Sequence, residues 1–548
     1  MLRKTTGRSA LLLLLLSLAA GACRRGEEPA AVPAAQQAEG PRRGGTVVSS
    51  WTAEPSGVNE LIQPSSQVNS EMLFRVLLHL VEEQADFEDH PPTFAPQLAR
   101  SYGWSEDHKT LTFHLRDDVV WSDGVPVTAE DVRWTWQAQV HPDIAWDSAE
   151  AKQAIRDVEV VDPQTVRFHF TRVYAKQLLD ANEGMILPRH VWSKLPFSEW
   201  RQNADWFRQH MVFNGPFTIA SWEPQQQIVL QRNERYHEKG LPYLDRVVMR
   251  IVPDQASGLT QALAGDIDFA SQIPPGDVPR VKASPHLDLI SYWSNLYVVV
   301  GWNNEHPLFS DAEVRRALTL AIDRRTIVDT LLGEYGRVGK SPIVSMVWAH
   351  DKSFEPWPYD PAEARRILAA KGWKDGDGDG ILDRGGKPFA FELLSNAGNQ
   401  VRADATVMIQ DQLKKVGIRA EPRQIEFNTL IDRTIEGDYD ASVIGFTMDT
   451  SLDLTSNLDS RAVDRNNYMR YGNPEVDRLL EIAARQPEIA QAKPYLDQIQ
   501  RIVHRDQPVT FLWESQRLTA VNKKVRDARP NYVQSLFNLK EWWVKPAA

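Results

Sequence analysis

The chain contains a single cysteine, Cys23, among its 548 residues. Everything after it is free of thiols, which suits a protein that works in an oxidising compartment. Long apolar runs are also scarce, and the run at residues 11–20 is too short to cross a bilayer as a helix. The composition therefore favours an exported protein without a membrane-spanning helix in its mature body.

Local signatures of enzymes are missing as well. The His-Glu pair at residues 237–238 lacks the second histidine of the H-E-x-x-H zinc motif, and no G-x-S-x-G elbow occurs. Gly-Lys-Ser at residues 339–341 resembles the end of a phosphate-binding loop, but that motif needs glycine where Glu334 stands. Catalytic carboxylates that only folding brings together would leave no such pattern, so a hydrolase stays an alternative.

A surplus of positive charge is absent too. The formal net charge is −11, which excludes a general attraction to nucleic acid or to anionic lipid. A chain of 548 residues is far longer than one hydrophobic core requires, so we expect several lobes.

What is present begins with an export signal. Arg3, Lys4 and Arg8 precede the apolar run, and small residues then lead to Cys23, which predicts a signal peptide at residues 1–22. The letters L-A-A-G-A-C ending at Cys23 resemble a bacterial lipobox, although alanine stands three residues before the cysteine. A plain signal peptide with an incidental cysteine is the alternative. Residues 23–44, rich in Pro, Ala, Glu and Gly, are predicted to form a disordered, lipid-anchored tether.

The segment at residues 94–132 carries the clearest local signals. Leu111, Phe113 and Leu115 alternate with polar residues, which predicts a strand after a hairpin turn at residues 105–109. Thr128 with Asp131 three places on predicts a capped helix start.

The same segment resembles a known family. Its letters LTFHLRDDVVWSDGVPVTAEDV are similar to a stretch shared by the bacterial extracellular solute-binding family 5, the dipeptide and oligopeptide receptors of ABC importers. The likeness continues with N-G-P-F at residues 214–217, G-D-I-D at 265–268 and N-Y-x-R-Y-x-N-P-E-V-D at 467–477. It therefore extends over almost all of the chain after residue 45.

The resemblance implies an α/β, type II periplasmic-binding-protein fold with two lobes, a hinge and an extra α+β domain. By that likeness lobe I is discontinuous, at residues 45–78, 212–294 and 510–548. Lobe II, the extra domain, spans residues 79–211, and lobe III spans residues 295–509.

Periodicity supports an α/β lobe in the second half of the chain. Asp311 and Asp360 are predicted to cap helices, a strand is expected at residues 389–394 and a helix at residues 405–416. In the first of these helices and just beyond it, we expect four arginines to face solvent, namely Arg315, Arg316, Arg324 and Arg325.

The predicted ligand site rests on the resemblance. Peptide-binding members have a G-W-x-x-D segment whose aspartate pairs with the peptide's α-ammonium group beside an aromatic wall. Here residues 445–449 give G-F-T-M-D, so Asp449 and Phe446 are the candidates, with Asp453 as the rival. Among 18 tryptophans, Trp51 and Trp302 lie in segments expected to border the cleft. The alternative for Asp449 is an exposed carboxylate without a ligand.

An acidic, glycine-rich segment is the metal candidate. Carboxylates at alternate positions of a tight turn suit a hard cation, and the segment resembles the first nine positions of a calcium loop. The twelfth position is Gly386 instead of glutamate. We predict a structural Ca²⁺ site, with a solvated acidic turn as the alternative; its ligands would be Asp375, Asp377, Asp379, Ile381 and Asp383.

The resemblance also implies a function. We expect a monomeric lipoprotein on the periplasmic side of a membrane, which captures a peptide by hinge closure and presents it to a permease and its ATPase. No cofactor is required for this, and no nucleic acid is expected as a partner. Receptors of the same fold for nickel chelates, opines or oligosaccharides are the nearest alternative.

Overall fold

A computed structural model describes residues 40–64 and 66–546. The predicted signal peptide, Cys23 and most of the predicted tether lie outside these residues. Within them, no helix has the length and apolarity to span a bilayer.

The strands of the described part belong to one large sheet and several small ones. Their bounds are β1 Thr46–Trp51, β2 Val81–Glu83, β3 Phe94–Pro96, β4 Ala99–Trp104, β5 Thr110–Leu115, β6 Ile155–Asp162, β7 Thr165–Phe170, β8 Phe217–Glu223, β9 Gln227–Arg232, β10 Arg246–Ile251, β11 Phe269–Ala270, β12 Leu287–Trp302, β13 Gly336–Val338, β14 Asp383–Arg384, β15 Lys387–Pro388, β16 Ala390–Asn396, β17 Arg419–Ile425, β18 Ala441–Thr447, β19 Val509–Asn522, β20 Val525–Arg526 and β21 Trp543–Val544.

The helices cover these sheets. They are α1 Gln67–Val76, α2 Ala129–Gln139, α3 Gln177–Asn182, α4 Arg189–Trp192, α5 Ala204–Gln209, α6 Gln255–Ala264, α7 Val278–Lys282, α8 Ala312–Ala321, α9 Arg324–Leu331, α10 Pro361–Ala370, α11 Gln400–Lys414, α12 Phe427–Glu436, α13 Thr455–Leu458, α14 Pro474–Ala484 and α15 Ile489–Asp506.

The large sheet connects the two halves of the molecule. Its order is β17-β16-β18-β12-β19-β11-β1-β10-β9-β8, with β13 paired to β19. On one side of the sheet, β16 pairs with β18, and β18 pairs with β12. On the other side, the strands around β1 are joined to β19 through β11. Between these two groups, β12 pairs with β19 along most of its length. These two long antiparallel strands therefore join one half to the other. The predicted lobe limit at residue 294 falls inside β12, and the limit at residue 509 falls at the first residue of β19. The division into lobes stays a prediction.

The β12–β19 pair is irregular near its middle. The register shifts between Trp293 and Tyr297 and again between Val298 and Val299. Such irregularities bend a strand and increase its local twist. The ladder is therefore interrupted at the point where the two groups of strands meet.

Helices cover both faces of the sheet around β16 and β18. Side chains of α8, α10 and α11, such as Leu318, Ile367 and Ile409, form a core on one face. On the other face, Leu479 of α14 and Leu496 of α15 pack in a second core. This layering confirms the predicted α/β class.

The segment at residues 94–132 folds as predicted. β4 and β5 form an antiparallel hairpin, and the Asp131 carboxylate accepts the Thr128 backbone N–H at 2.9 Å where α2 begins. Asp131 is buried and also accepts the Arg189 N–H at 3.2 Å. This segment therefore supports the small sheet β4-β5-β7-β6.

Two of the four arginines predicted to be exposed are buried, so that prediction is wrong for them. Arg315 donates to the carbonyls of Phe309, Asp506 and Gln507, and Arg324 donates to those of Phe511 and Trp357. A guanidinium tolerates burial when its donors are used in this way. The helix expected at residues 405–416 also begins earlier, because Asn399 accepts the Arg402 N–H as its cap.

Candidate functional site

One candidate binding surface lies at the carboxyl ends of parallel strands. β1 runs parallel to β10 and β11, and a small cavity of about 30 Å³ opens beside their ends. Trp51 lines this cavity together with Gln255 and Gln272, and its Nε1–H donates to Ser49 Oγ at 2.8 Å. In open α/β sheets, ligands bind beyond the carboxyl ends of the strands. Trp51 itself is 5% exposed, and its role at the cleft stays a prediction.

Asp449 lies in the loop that follows β18, and this loop is attached to the irregular part of β12. The Met448 N–H donates to the Asn295 carbonyl at 3.0 Å, and Asn295 Nδ2 donates to the Met448 carbonyl at 2.7 Å. Asp449 itself is exposed, and its Oδ1 accepts the Ser451 N–H at 3.0 Å and the Ser451 hydroxyl at 2.5 Å. Its Oδ2 accepts no hydrogen bond from the described residues, so that oxygen is free to receive a ligand cation.

Asp453, the rival candidate, already has a partner. Its Oδ2 lies 3.5 Å from Lys176 Nζ, just before α3, and its Oδ1 accepts the Thr455 N–H at 2.9 Å. An exposed pair of this kind contributes little to stability. Both oxygens of the Asp453 carboxylate are nevertheless in contact with these partners. The geometry therefore favours Asp449 as the site for a ligand cation.

The other two aromatic candidates, Phe446 and Trp302, differ in their surroundings. Phe446 of β18 lies between Tyr297 and Tyr468, with ring centroids at 5.6 and 6.0 Å, and it borders a small apolar cavity of about 20 Å³. It is half-buried, as an aromatic wall would be. Trp302 is 0% exposed and its Nε1–H donates to Thr510 Oγ1 at 3.1 Å inside the core, so the expectation that it borders the cleft is wrong.

The structure adds a group of carboxylates that the sequence did not indicate. Glu83 of β2 and Glu183 after α3 line a cavity of about 140 Å³, together with Arg75, His79 and Asn182. The Glu83 Oε1 atom is shielded from solvent and lacks a hydrogen-bond partner among the described residues. Burial raises the pKa of Glu83 to about 7, and the charge of Asp449 adds to this rise. Glu183 lines the same cavity but is exposed.

Lys152 holds the wall of this cavity in place. It is 1% exposed, and its Nζ donates to the carbonyls of Asp180, Ala181 and Glu183 at 2.5, 3.3 and 2.7 Å. Burial lowers the pKa of Lys152 to about 8, and the nearby carboxylates oppose that effect. These three carbonyls belong to the last turn of α3 and the residue beyond it, where a lysine side chain is a favourable cap. No local pattern around Lys152 in the sequence signals this role.

The shifted pKa of Glu83 predicts a pH-dependent effect on stability. An unfolded glutamate loses its proton near pH 4.5, whereas folded Glu83 keeps it to about pH 7. Between these values the folded state binds more protons than the unfolded state, so this group makes wild-type stability fall as pH rises. Glu83→Gln removes the effect. The free energy of unfolding of the variant minus that of wild type should therefore rise by up to about 3 kcal/mol between pH 4.5 and 7, and it should stay constant above pH 7.

Urea unfolding of both proteins at several pH values measures this difference. Glu106→Gln, an exposed carboxylate in the β4–β5 turn, is the control and should follow wild type throughout. Parallel pH profiles for Glu83→Gln and wild type would contradict the burial of this carboxylate.

The acidic segment forms an exposed turn between α10 and β14. Carboxylate oxygens of Asp375, Asp377 and Asp379 come within 4.8 Å of one another, as predicted. Asp383 Oδ2 accepts the Gly376 N–H at 2.8 Å, and Asp379 Oδ1 accepts the Ile381 N–H at 2.8 Å. The three aspartates therefore converge, while both oxygens of Asp375 and one oxygen each of Asp377, Asp379 and Asp383 accept backbone N–H groups of the turn.

Comparison with known proteins identifies relatives over the whole fold. The model of the bacterial extracellular solute-binding proteins, family 5 Middle, matches residues 93–467. The oligopeptide-binding protein AppA of Bacillus subtilis (strain 168) is 29% identical over 551 residues, covering 99% of this chain and 99% of the relative. The di/tripeptide-binding protein 1 of Pseudomonas aeruginosa (strain UCBPP-PA14) is 26% identical over 464 residues, covering 81% of this chain and 84% of the relative.

Solved structures agree with the predicted architecture. The structure of Bacillus subtilis AppA in complex with a nonapeptide matches with a TM-score of 0.78 at 29% identity, covering 92% of this chain and 100% of that chain. NikZ from Campylobacter jejuni in complex with Ni(L-His) also matches with a TM-score of 0.78, at 23% identity, covering 91% of this chain and 99% of that one. The predicted α/β periplasmic-binding-protein fold is therefore confirmed.

Proposed function

Because the chain belongs to the bacterial extracellular solute-binding proteins of family 5, we propose that it captures peptides outside the cytoplasm and delivers them to an ABC importer. Its likeness to an oligopeptide-binding protein along nearly the whole chain supports a peptide as the ligand. The observation that carries the proposal is the exposed carboxylate of Asp449, which keeps Oδ2 free and lies in a loop tied to β12.

The ligand is held between lobes that move about β12 and β19. The α-ammonium group of the peptide pairs with Asp449, while Phe446 and Trp51 supply apolar walls. Water is excluded when the lobes close, so an ammonium group without a carboxylate partner is costly there, and this selects ligands with a free N-terminus. Closure follows because the ligand binds the closed form better than the open one.

The transporter supplies the remaining chemistry. The closed, loaded chain docks on a permease, and the ATPase subunits of that permease hydrolyse ATP. The chain acts as a monomer without a cofactor, and it does not cleave its ligand.

Calorimetric titration of refolded, ligand-free protein tests this function. We expect a peptide with a free N-terminus to bind with one-to-one stoichiometry and to be recovered intact by mass spectrometry. Tight binding of a nickel chelate, an opine or an oligosaccharide with no response to peptides would favour another receptor of this fold. Recovery of cleaved peptide would favour a hydrolase.

We also propose that Cys23 carries a lipid anchor that holds the protein on the periplasmic side of a membrane. Two acyl chains provide stable anchoring where one gives only marginal binding. Feeding cells a radioactive fatty acid should label the wild-type protein but not Cys23→Ser. Absence of label from the wild type would leave a plain signal peptide.

For the acidic turn we propose a structural Ca²⁺ site made by Asp375, Asp377 and Asp379, with Ile381 and Asp383 contributing oxygens. At a Ca²⁺ concentration 100 times its dissociation constant, binding should stabilise the fold by about 2.7 kcal/mol. Thermal unfolding in Ca²⁺ and in chelator measures this difference, and Asp377→Asn should abolish it. Equal midpoints for the wild type in both conditions would contradict the site.

A further inference from the structure

Two hydrophobic cores of the described chain belong to different bodies. One core joins β1 of the large sheet to the small sheet, with Val47 and Leu111 among its buried side chains, and we call the residues around it the first body. Another core lies under α14 and α15. Apart from Phe87 and Tyr532, its buried side chains come from residues 297–511, which we call the second body. Phe87 therefore reaches this core from outside the second body.

The loop that carries Phe87 is rooted in the first body. Val81 of β2 is buried in the first core, and its N–H donates to Asn182 Oδ1 at 2.9 Å. Within the loop, the Gln84 N–H donates to the Thr93 carbonyl at 2.9 Å, and Asp86 Oδ1 accepts the Thr93 N–H at 3.0 Å. These bonds close the loop between β2 and β3 on itself. It therefore presents Phe87 from a braced support.

Phe87 differs from the residues beside it. It is 3% exposed, although it lies among four exposed polar residues, namely Asp86, Glu88, Asp89 and His90. Its ring meets that of Tyr532 edge to face, with centroids 4.4 Å apart. Its carbonyl accepts the Trp348 N–H of the second body at 3.0 Å. The side chain is thus buried by groups that lie outside its own loop.

The contact between the two bodies at this point is small enough to separate. Beside the Phe87 ring, its polar part includes the Trp348 N–H bond and the exposed pair of Lys176 with Asp453, whose atoms are 3.5 Å apart. Limited contacts of this kind permit relative motion of two parts of a chain. Separation would draw Phe87 out of the second core, and exposing its apolar surface to water is unfavourable.

Building on the proposed function, we propose that Phe87 is a latch, a positioning residue that enters the second body when the lobes close and leaves it when they open. The latch stabilises the closed form with or without a ligand. It acts on closure rather than on the chemistry of the ligand, so it slows the escape of every bound peptide in the same way.

Small-angle X-ray scattering of refolded, ligand-free protein tests the latch. Phe87→Ala should have a larger radius of gyration than wild type, because the open form gains population. Phe427→Ala makes the same truncation at a phenylalanine that is 47% exposed at the start of α12, and it should scatter like wild type. If Phe87→Ala scatters like wild type, the latch is wrong. Phe87→Leu should show a smaller shift in the same direction, which provides a second test if Phe87→Ala does not fold.

Dissociation kinetics separate this inference from the proposed function. For a peptide that binds wild type in the calorimetric titration, Phe87→Ala should raise the dissociation rate roughly tenfold or more and change the association rate little. Phe427→Ala should change neither rate. An unchanged dissociation rate in Phe87→Ala would overturn the latch while leaving peptide binding intact. If wild type binds no peptide at all, the proposed function fails, whereas the scattering of the ligand-free variants still decides the latch.

Discussion

Asp449→Ala should weaken the binding of a peptide with a free N-terminus by 2 kcal/mol or more, which is about a 30-fold increase in dissociation constant. The α-ammonium group would enter a closing, water-poor cleft without its counter-charge, and an unpaired charge there is costly. Asp449 is the carboxylate in its loop that keeps an oxygen free, since Asp453 is engaged by Lys176 and Thr455. Calorimetry on the purified variant measures the loss.

Asp453→Asn is the matched control, because it removes a neighbouring negative charge from the same loop. Its effect on affinity should be well below that of Asp449→Ala. An N-acetylated peptide should distinguish the roles further, since Asp449→Ala should cost it little. Equal losses for the two variants, or none for Asp449→Ala, would remove Asp449 from the ligand site.

Lys152→Met should destabilise the fold by about 3 kcal/mol. The substitution keeps much of the aliphatic bulk but leaves the carbonyls of Asp180, Ala181 and Glu183 without their donor. A buried carbonyl that loses its partner costs roughly 1 to 3 kcal/mol, and the relief of burying the lysine charge offsets part of the total. Urea unfolding measures the change.

Lys194→Met, at an exposed position of the same predicted lobe, is the control and should change stability by less than about 0.5 kcal/mol. Peptide affinity should also fall in Lys152→Met, because α3 forms a wall of the acidic cavity. A variant as stable as wild type would show that the three hydrogen bonds of Lys152 are not needed to hold α3.

Elements encoded within a few consecutive residues were predictable from the sequence. The hairpin β4–β5 follows from the alternation of Leu111, Phe113 and Leu115, and the start of α2 follows from Thr128 and Asp131. In each case the signal and the structure lie within one turn or one strand, so no distant partner is needed to interpret them.

Features that depend on distant partners were missed. Spacing predicts Arg315 on the polar face of α8, yet its Nε and Nη2 donate to the carbonyls of Asp506 and Gln507, about 190 residues later. Trp302 was expected at the cleft, yet Thr510 of the neighbouring strand β19 accepts its indole N–H. In both cases the partner is supplied by the pairing of distant segments, which periodicity does not reveal.

The candidate site divides in the same way. Asp449 and Phe446 became candidates through a five-residue likeness, and Trp51 through a segment expected to border the cleft. Glu83, Glu183 and Lys152 have no motif, because β2, α3 and the segment before β6 meet only in the folded chain. The burial of Lys152 and the shifted pKa values of Glu83 and Lys152 become visible only in the structure.

The central claim is that this chain binds peptides, and the ligand that accompanies the natively purified protein tests it most directly. Mild denaturation followed by mass spectrometry of the released small molecules identifies that ligand. We expect peptides with free N-termini, absent from a parallel preparation of Asp449→Ala. Release of an opine, an oligosaccharide or a metal chelate instead of peptides would contradict the claim.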